Sequence, residues 1–380
     1  STTTPIRIVF NASAAKRGET SLNDVLETGP TLTEKLLDSL VSFKQGKYAL
    51  CADIRKAFLQ VGLQESERDF VRFLWVDDPS KTSPKFITYR FRSVPFGTTS
   101  SPFLLQATLY RHLSLSEMPW KAKLLHSFYV DNFSITTDVE SDLFEIYQQT
   151  TECLADANMP LQEWNSNNVS SNQWKNDPER KETLSVLGIR WNTKTDVLTI
   201  KNVVHPQFTQ LTKRSALAYV SELYDPLGLV SPIGIRGRLF MRELWLLKKD
   251  WDERLDDQWV TRLNKLTQCY SSIAQIEFPR MSCALDESIE LHIFCDASSD
   301  AYGAVAYTVN SDNSQIIMSK ARVSPIKGKT IPQLELTAIL IGCRLANYLL
   351  SNLQCQVTNT YVWTDNLPCI TWIKNNKSNI

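Results

Sequence analysis

The sequence predicts an α+β fold class, in which helices are mixed with antiparallel strands. The stretch HSFYVDNFSITT alternates apolar and polar residues on both sides of Asp131-Asn132, which is typical of a β-hairpin. The stretch FLLQATLYRHL, a little earlier in the chain, has the spacing of a helix. Together these patterns favour helices packed beside an antiparallel sheet up to about residue 200.

The elements before the hairpin follow from local signals. IRIVFN is predicted to be a strand, and TLTEKLLDSLVSF a helix capped by Thr31 with Glu34 three residues later. KYALCADI is an apolar strand that ends in an acid, and KFITYRF is a further strand before a loop rich in Pro, Gly, Ser and Thr. After the hairpin we expect a helix over LFEIYQQTTECLADANM and a second hairpin over SVLGIRWNTKTDVLTI.

Three regions are predicted from changes in pattern: residues 1–202, 203–286 and 287–380. The middle region is mainly helical, with several tryptophans and the break YDPLGLVSPIG. In the last region, LHIFCDASSDAYGAVAYTV is predicted to form two strands, QIIMSKARV a third, LELTAILIGCRLANYLLSNL a helix and TYVWTD a fourth strand.

Charge and composition narrow the class of protein. Lys+Arg and Asp+Glu both number 41, so no bulk positive field indicates nucleic acid, and a binding groove for it must be local. Hydrophobic residues make up 43% of the chain, which is ordinary for a globular protein. The sequence starts at Ser1 without a signal peptide, and we expect a segment of a longer protein with no membrane-spanning run.

The eight cysteines are scattered and form no C-x-x-C pair. Most lie in apolar stretches, as buried thiols do, so a reducing compartment and no zinc site are expected.

Two sets of acids are candidates for metal binding. Asp53 ends the strand YALCAD and Asp131 lies at the hairpin tip, where a pair of carboxylates suits Mg²⁺ ions that align two oxygens for in-line displacement. The alternative is that each acid is a turn or cap residue.

The second set lies in the last region. Asp296 is within the strand FCDASSD, Glu335 opens a helix and Asp365 ends a strand. An acid inside an apolar strand is costly unless it is paired or liganded, which favours a function for Asp296. Glu335 has an alternative, because acids are favoured in the first turn of a helix by the macrodipole.

The order CADIRKAFLQVGL, VPFGTTSSPFLLQ and FYVDNF resembles motifs A, B and C of reverse transcriptases, and IRIVFNASA and ELYDPLGLVSPI resemble segments of BEL/Pao-type retrotransposon polyproteins. The resemblance implies right-hand polymerase fingers and palm in 1–202, a thumb or connection in 203–286, and an RNase H-like α/β domain in 287–380. This last domain is expected to be truncated at its C-terminus.

The resemblance also assigns roles. It makes Asp53 and Asp131 the polymerase metal ligands, and Asp296, Glu335 and Asp365 the catalytic metal ligands of RNase H. Binding of the nucleotide and its metals is assigned to Arg7, Phe58, Pro95, Gly97, Gln106 and Asn132. Phe58 is expected to block a 2′-hydroxyl. Pro102 is expected in the same nucleotide-packing loop, and Leu187 and Gly188 at the primer end.

The implied activity is RNA-directed DNA synthesis with two Mg²⁺ ions at the polymerase site and two at RNase H, Mn²⁺ being a substitute. Its partners would be an RNA template, a DNA primer, RNA/DNA hybrid, deoxynucleoside triphosphates, and the protease and integrase segments of the polyprotein. A cytoplasmic, particle-associated location is expected.

Three positions depart from the family pattern. Asn132 replaces the second acid of motif C, Glu163 stands where a basic residue is usual, and Asn11 replaces an aspartate. An amide is a weaker ligand than a carboxylate. Two alternatives therefore stay open: a dormant relic that at most binds nucleic acid, and an interaction module that reuses the fold.

Overall fold

The computed structural model describes residues 10–168, 170, 182–201, 203, 208 and 210–375. Its helices are α1 (Leu22–Val25), α2 (Leu36–Phe43), α3 (Ala57–Gln60), α4 (Ser101–Leu115), α5 (Lys121–Leu124), α6 (Glu140–Asp156), α7 (Lys213–Ser221), α8 (Ser231–Leu246), α9 (Asp257–Ser271), α10 (Ile331–Asn352) and α11 (Leu367–Asn375). Short 3₁₀ helices cover Glu65–Val71 and Ser272–Gln275.

The strands are β1 (Tyr48–Ile54), β2 (Arg72–Val76), β3 (Phe86–Arg90), β4 (Phe128–Tyr129), β5 (Asn132–Thr137), β6 (Leu161–Ser166), β7 (Thr183–Val186), β8 (Ile189–Asn192), β9 (Val197–Thr199), β10 (Glu277–Pro279), β11 (Ser288–Ala297), β12 (Ala301–Val309), β13 (Ser314–Val323) and β14 (Gln356–Trp363).

These strands form three four-stranded sheets and one hairpin. The sheet orders are β4-β5-β1-β6, β10-β9-β8-β7 and β13-β12-β11-β14, and β2 pairs with β3. Most pairs are antiparallel, but β11 and β14 are parallel. The predicted mixture of helices and antiparallel strands is therefore confirmed.

The chain divides into two compact units. The first holds residues 1–35, 51–135 and 144–164, and the second holds 36–50, 136–143 and 165–380. Both units are discontinuous in sequence, and the three predicted regions with borders at 202 and 286 stay a prediction.

Helix α4 contributes much of the core of the first unit. Leu105, Leu109 and Leu113 are almost fully buried, at the four-residue spacing that places side chains on one face of a helix. A second cluster in this unit stacks Phe133 and Tyr147 edge-on against Trp164. These contacts fix β5, which follows the hairpin tip, and β6.

In the second unit, α10 covers one face of the C-terminal sheet. Alternate residues of β11 are buried (Ile289, Leu291, Ile293 and Cys295), as the two-residue period of a strand requires. Helix α10 approaches this face closely at Gly342, where a Cβ atom would overlap the sulphur of Cys295.

A buried arginine, Arg280, holds the segment before the C-terminal sheet in place by hydrogen bonds. The guanidinium of Arg280 is fully buried and donates to Asp196 at 2.7 Å and to the carbonyl oxygens of Phe43 (2.9 Å), Gly46 (2.8 Å) and Lys47 (2.9 Å). A buried charge is tolerated only when it is paired and hydrogen-bonded in this way. The clamp joins parts of the chain that are more than 230 positions apart.

Lys44 is a second buried cation, and it donates to the Pro279 carbonyl at 3.0 Å. Burial, and next the nearby Arg280, lower the pKa of Lys44 to about 7. Both cations therefore belong to the internal structure of the second unit.

Some expected elements differ in detail. Helix α2 begins at Leu36, so the capping box at Thr31 is wrong, and Glu34 instead accepts from His126 at 2.6 Å. The strand expected over residues 6–11 falls mostly outside the described residues, and Phe10 and Asn11 are not in a strand. The first arm of the predicted second hairpin is divided by a turn into β7 and β8. Strands β2, β6 and β10 and helix α11 were not predicted.

One described helix, Ile331–Asn352, is long and apolar enough to cross a membrane by length and composition alone. This contradicts the expectation that no such run exists. Half of its apolar window is buried inside the fold, because the helix packs on the C-terminal sheet. A core helix passes the same test.

Several basic residues of the middle region contact other parts of the protein. Their partners include backbone carbonyls, acids and a thiol. They are Lys213 (Leu247 O), Arg214 (Asp252), Arg236 (Cys269 Sγ), Arg238 (Ala321 O) and Arg242 (Asp300 and Ser324 O). Arg238 and Arg242 thus attach α8 to the C-terminal sheet.

Candidate functional site

The first candidate site lies at the tip of the β4–β5 hairpin. Tyr129 pairs with Asn132, so the two turn residues are Val130 and Asp131. Val130 has a φ of 58°, a left-handed conformation that is unfavourable for a β-branched residue. The turn therefore lies one residue earlier than the Asp-Asn pair suggests, and Asp131 projects from a strained backbone.

Asp53 lies next to this tip in the sheet. It is the penultimate residue of β1, and the following residue, Ile54, donates its amide to the Asp131 carbonyl at 2.9 Å. Both acids are half-buried. The predicted placement of two acids at adjacent strand ends therefore matches the backbone geometry.

Asn132 interacts directly with the acid that precedes it. Its side-chain nitrogen donates to Asp131 Oδ1 at 3.1 Å. An aspartate at this position has no such donor and would repel the neighbouring carboxylate. The substitution thus replaces a ligand charge by a hydrogen bond that holds Asp131.

Gln106 supports the same turn from α4. Its side chain is buried and donates to the Val130 carbonyl at 3.0 Å. Gln106 was expected to bind the nucleotide, and the contact described here is with the hairpin backbone.

Phe58 follows β1 in the chain and lies in the short helix α3. Its ring packs edge-on against Phe96, with ring centroids 5.1 Å apart. Lys56, two residues earlier, has a φ of 52° and begins α3 in the left-handed region. The aromatic pair fixes the position of the Phe58 ring, which sequence spacing alone leaves open.

The loop that precedes α4 is fixed by side-chain contacts. Ser101 donates its hydroxyl to the Pro95 carbonyl at 2.7 Å, and Asn23 donates to the Gly97 carbonyl at 3.0 Å. Gly97 has a φ of 97°, and a Cβ atom there would overlap the Phe10 carbonyl oxygen. Glycine is therefore required at 97 by backbone approach.

Leu187 and Gly188 form the tight turn between β7 and β8, in the second unit. Both have positive φ, at 48° and 90°. The Tyr224 hydroxyl donates to the Leu187 carbonyl at 3.1 Å, and its ring occupies the space where a Cβ of residue 188 would lie.

Left-handed backbone occurs at four described non-glycine residues of the first unit and at two of the second. Val130, Lys56 and Glu163 all have positive φ, and Arg55 donates its amide to the Pro160 carbonyl in the adjoining segment. Residues held in sparsely populated regions cluster at functional sites, where the surrounding structure maintains them. Arg7, expected to hold the triphosphate, lies outside the described residues.

The second candidate site is formed by Asp296, Glu335 and Asp365. One carboxylate oxygen from each lies within 4.8 Å of the others. Asp296 comes from β11, Glu335 from α10 and Asp365 from the loop after β14. Three acids at this spacing suit oxygen-preferring cations such as Mg²⁺ or Mn²⁺.

Glu335 is the buried member of this acid triad. Burial raises its pKa, and the nearby carboxylates of Asp296 and Asp365 raise it further. Its Oε2 atom has no hydrogen-bond partner among the described residues. A buried carboxylate oxygen without a donor is costly, so this atom fits a site that a cation completes.

The second site corrects three details of the prediction. Asp296 is the penultimate residue of β11 and is exposed, so the expected cost of burying it does not arise. Glu335 is the fifth residue of α10, beyond the first turn, which removes the macrodipole explanation. Asp365 follows β14 instead of ending it.

Two contributors to the sites were missed from the sequence. Val130 gives no signal, since a valine predicts extended backbone and not a left-handed turn. Phe96 lies in VPFG, and an aromatic residue directly before a glycine could have indicated its role from the sequence.

Family models match most of the chain in two parts. The model described as reverse transcriptase (RNA-dependent DNA polymerase) matches residues 11–191. The model described as Pao retrotransposon-like RNaseH-like domain matches residues 212–366. No curated protein matches the sequence.

Solved structures show the same fold. A foamy viral protease-reverse transcriptase dRH in complex with double-stranded DNA superposes with a TM-score of 0.61 at 13% identity, over 93% of this chain and 56% of that chain. The foamy viral protease-reverse transcriptase in complex with RNA/DNA hybrid gives 0.55 at 14% identity, over 91% and 45%. This chain spans about half the length of those structures.

Proposed function

We propose that this chain, in which a reverse transcriptase domain is joined to a Pao retrotransposon RNase H-like domain, performs RNA-directed DNA synthesis. The observation that carries the proposal is the Ile54–Asp131 backbone hydrogen bond, which sets Asp53 and Asp131 side by side in the sheet. The reverse transcriptase family model matches a continuous segment that contains both acids. Sequence similarity and geometry therefore both support the proposal.

At the first site, Asp53 and Asp131 would hold the two Mg²⁺ ions, whose chemistry is to stabilise charge on the attacking and leaving oxygens. The chain itself orients the acids: Asn132 holds Asp131, and Gln106 holds the turn that carries it. Phe58, fixed by Phe96, would lie where the sugar of an incoming deoxynucleotide packs and would exclude a 2′-hydroxyl.

At the second site, Asp296, Glu335 and Asp365 would hold the ions that position water for cleavage of RNA in a hybrid. Burial raises the pKa of Glu335, and the neighbouring carboxylates of Asp296 and Asp365 raise it further; a divalent cation would offset this repulsion. The residues present therefore fit the metal.

A second candidate is a dormant relic. It is favoured by the amide of Asn132, which stands where the family pattern has a second acid and leaves the hairpin tip with one negative charge fewer for metal. The relic would keep the fold and at most bind RNA/DNA hybrid.

Primer extension on an RNA template with Mg²⁺ or Mn²⁺ and deoxynucleoside triphosphates tests the proposal. We expect wild-type chain to extend a DNA primer, and Asp53→Asn to lower the rate by roughly a thousandfold, since a metal ligand contributes several kcal/mol. Asp257→Asn, which changes an exposed acid of α9, is the matched control and retains activity.

Asn132→Asp separates the two candidates. If wild type extends the primer, this variant changes the rate by less than about tenfold, because Asp131 already holds its metal. Activity that arises only in Asn132→Asp identifies the relic. Silence from all variants contradicts the proposed activity.

The neighbouring protease and integrase segments and a particle-associated cytoplasmic location rest on the family resemblance. They stay proposals.

A further inference from the structure

Two cysteines that are far apart in sequence meet in the second unit. The sulphur atoms of Cys283 and Cys355 lie 3.4 Å apart, and both residues are buried. Cys283 precedes β11 and Cys355 immediately precedes β14, and these two strands pair in parallel with Ser288 opposite Gln356. The thiols therefore lie where the two strands begin, at the end of the sheet away from Asp296.

Gln45 holds both cysteine-bearing segments in place. It forms a backbone bridge with Cys283, and its side-chain nitrogen donates to the Asn352 carbonyl at 3.2 Å. Its side-chain oxygen accepts from the Gln354 amide at 2.6 Å. Because Gln45 is fully buried, these contacts hold the two sulphur atoms next to each other in the folded chain.

The two thiols differ in acidity. The hydrogen bond between them lowers the pKa of the Cys355 thiol and raises that of Cys283. The thiolate is the reactive form of cysteine, so Cys355 is the favoured nucleophile and Cys283 is the thiol that reacts second. A disulfide needs the sulphur atoms about 1.4 Å closer than their present 3.4 Å.

A polar cavity reaches one member of the pair, Cys283, whose sulphur lies 3.4 Å from that of Cys355. Cys283 lines a cavity of about 300 Å³ together with polar residues that include Ser282, Glu287, Thr308 and Asn310. A cavity of this size and polarity admits water and hydrogen peroxide.

We propose that Cys283 and Cys355 form a reversible disulfide that fastens β14 to the start of β11. The oxidant is a peroxide. One thiolate attacks hydrogen peroxide: an S–O bond forms as the O–O bond breaks, and the sulfenic acid is left together with a hydroxide ion, which takes up the proton that the thiol had lost and becomes one water. The second sulphur then displaces that oxygen as a second water and the S–S bond forms. Two thiols are oxidised, one peroxide is reduced, and a dithiol reductant reverses the step.

The test uses the folded full chain treated with hydrogen peroxide, alkylated, and digested without reductant. We expect a Cys283–Cys355 cross-linked peptide that dithiothreitol removes, and a fall in titratable thiols from eight to six. The oxidised chain should melt about 5 °C higher, because the bond closes a long loop. Hydrogen exchange of β14 amides should be slower in the oxidised form.

Single variants complete the test. Cys355→Ser and Cys283→Ser lose the cross-link and the thermal shift, whereas Cys51→Ser, which removes an equally buried thiol from β1, keeps both. Mapping in wild type does not depend on whether the variants fold. Cross-links that join other pairs equally, such as Cys295 with Cys343, or a cross-link that forms only in urea, would overturn the proposal.

Discussion

The two acid sites of this chain are built differently, although both place carboxylates at strand ends. At the hairpin tip, Asp131 projects from a strained turn and already accepts a hydrogen bond from Asn132. In the triad, Glu335 is buried with one oxygen unpartnered and two further acids within 4.8 Å. The triad therefore needs a cation to offset the repulsion among its carboxylates. At the hairpin tip, the hydrogen bond from Asn132 already offsets part of the charge of Asp131.

The largest expected effect is metal binding by the triad alone. With Mn²⁺ at about one hundred times its dissociation constant, wild type should gain roughly 2.7 kcal/mol of unfolding free energy. Thermal melts with and without EDTA measure this gain. Glu335→Gln should remove the part of this gain that comes from the triad, whereas Asp53→Asn should keep that part, since the triad does not include Asp53. An undiminished gain in Glu335→Gln would show that the triad does not bind the metal.

Removing the support of the hairpin tip is expected to come next. Gln106→Leu leaves the Val130 carbonyl without its donor and should cost about 1–3 kcal/mol in urea unfolding. Primer extension should fall while the Mn²⁺ shift of the triad stays unchanged. Gln148→Leu, an exposed change on α6, is the matched control. Equal losses at both sites would show that the effect is not local.

Relieving strain at the tip should have a smaller effect of opposite sign. Asparagine tolerates the left-handed region better than valine does, so Val130→Asn should stabilise the chain by about 1 kcal/mol. Urea unfolding measures the change. A destabilised variant would indicate that packing of the Val130 side chain outweighs its backbone strain.

The smallest expected effect is the pH dependence of the triad. The folded pKa of Glu335 is raised above its ordinary value of 4.5. In metal-free chain its contribution to stability is therefore full below pH 4.5 and is lost as pH rises through the folded pKa. Urea unfolding in EDTA should show a steeper fall over this window in wild type than in Glu335→Gln. Identical pH profiles would contradict the crowding of the three acids.

The sequence predicts the elements well where a period is long. Helices α4, α6 and α10 and the strand β1 follow from their apolar spacing, and the two sets of acids follow from strand ends and family motifs. Conformation that depends on distant contacts is not predictable in this way. The left-handed φ of Val130 is accompanied by the hydrogen bond from the Gln106 side chain to the Val130 carbonyl, and no local sequence pattern predicts it.

Burial of polar groups is likewise set by the tertiary structure. Asp296 is exposed despite its apolar strand, and Arg238 and Arg242 donate to the Ala321 carbonyl and to the carboxylate of Asp300. Thr31 and Glu34 match a capping signal, yet the ion pair of Glu34 with His126 and a later helix start override it.

The Arg280 clamp has a consequence for synthesis on the ribosome. Its guanidinium grips a carbonyl of Gly46, 234 positions earlier in the chain. The loop that offers those carbonyls emerges first and cannot be completed until the clamp has been translated. At about 5–20 residues per second, this loop waits at least several seconds for its partner. During that interval the carbonyl oxygens of Phe43, Gly46 and Lys47 lack the donor that they have in the folded second unit.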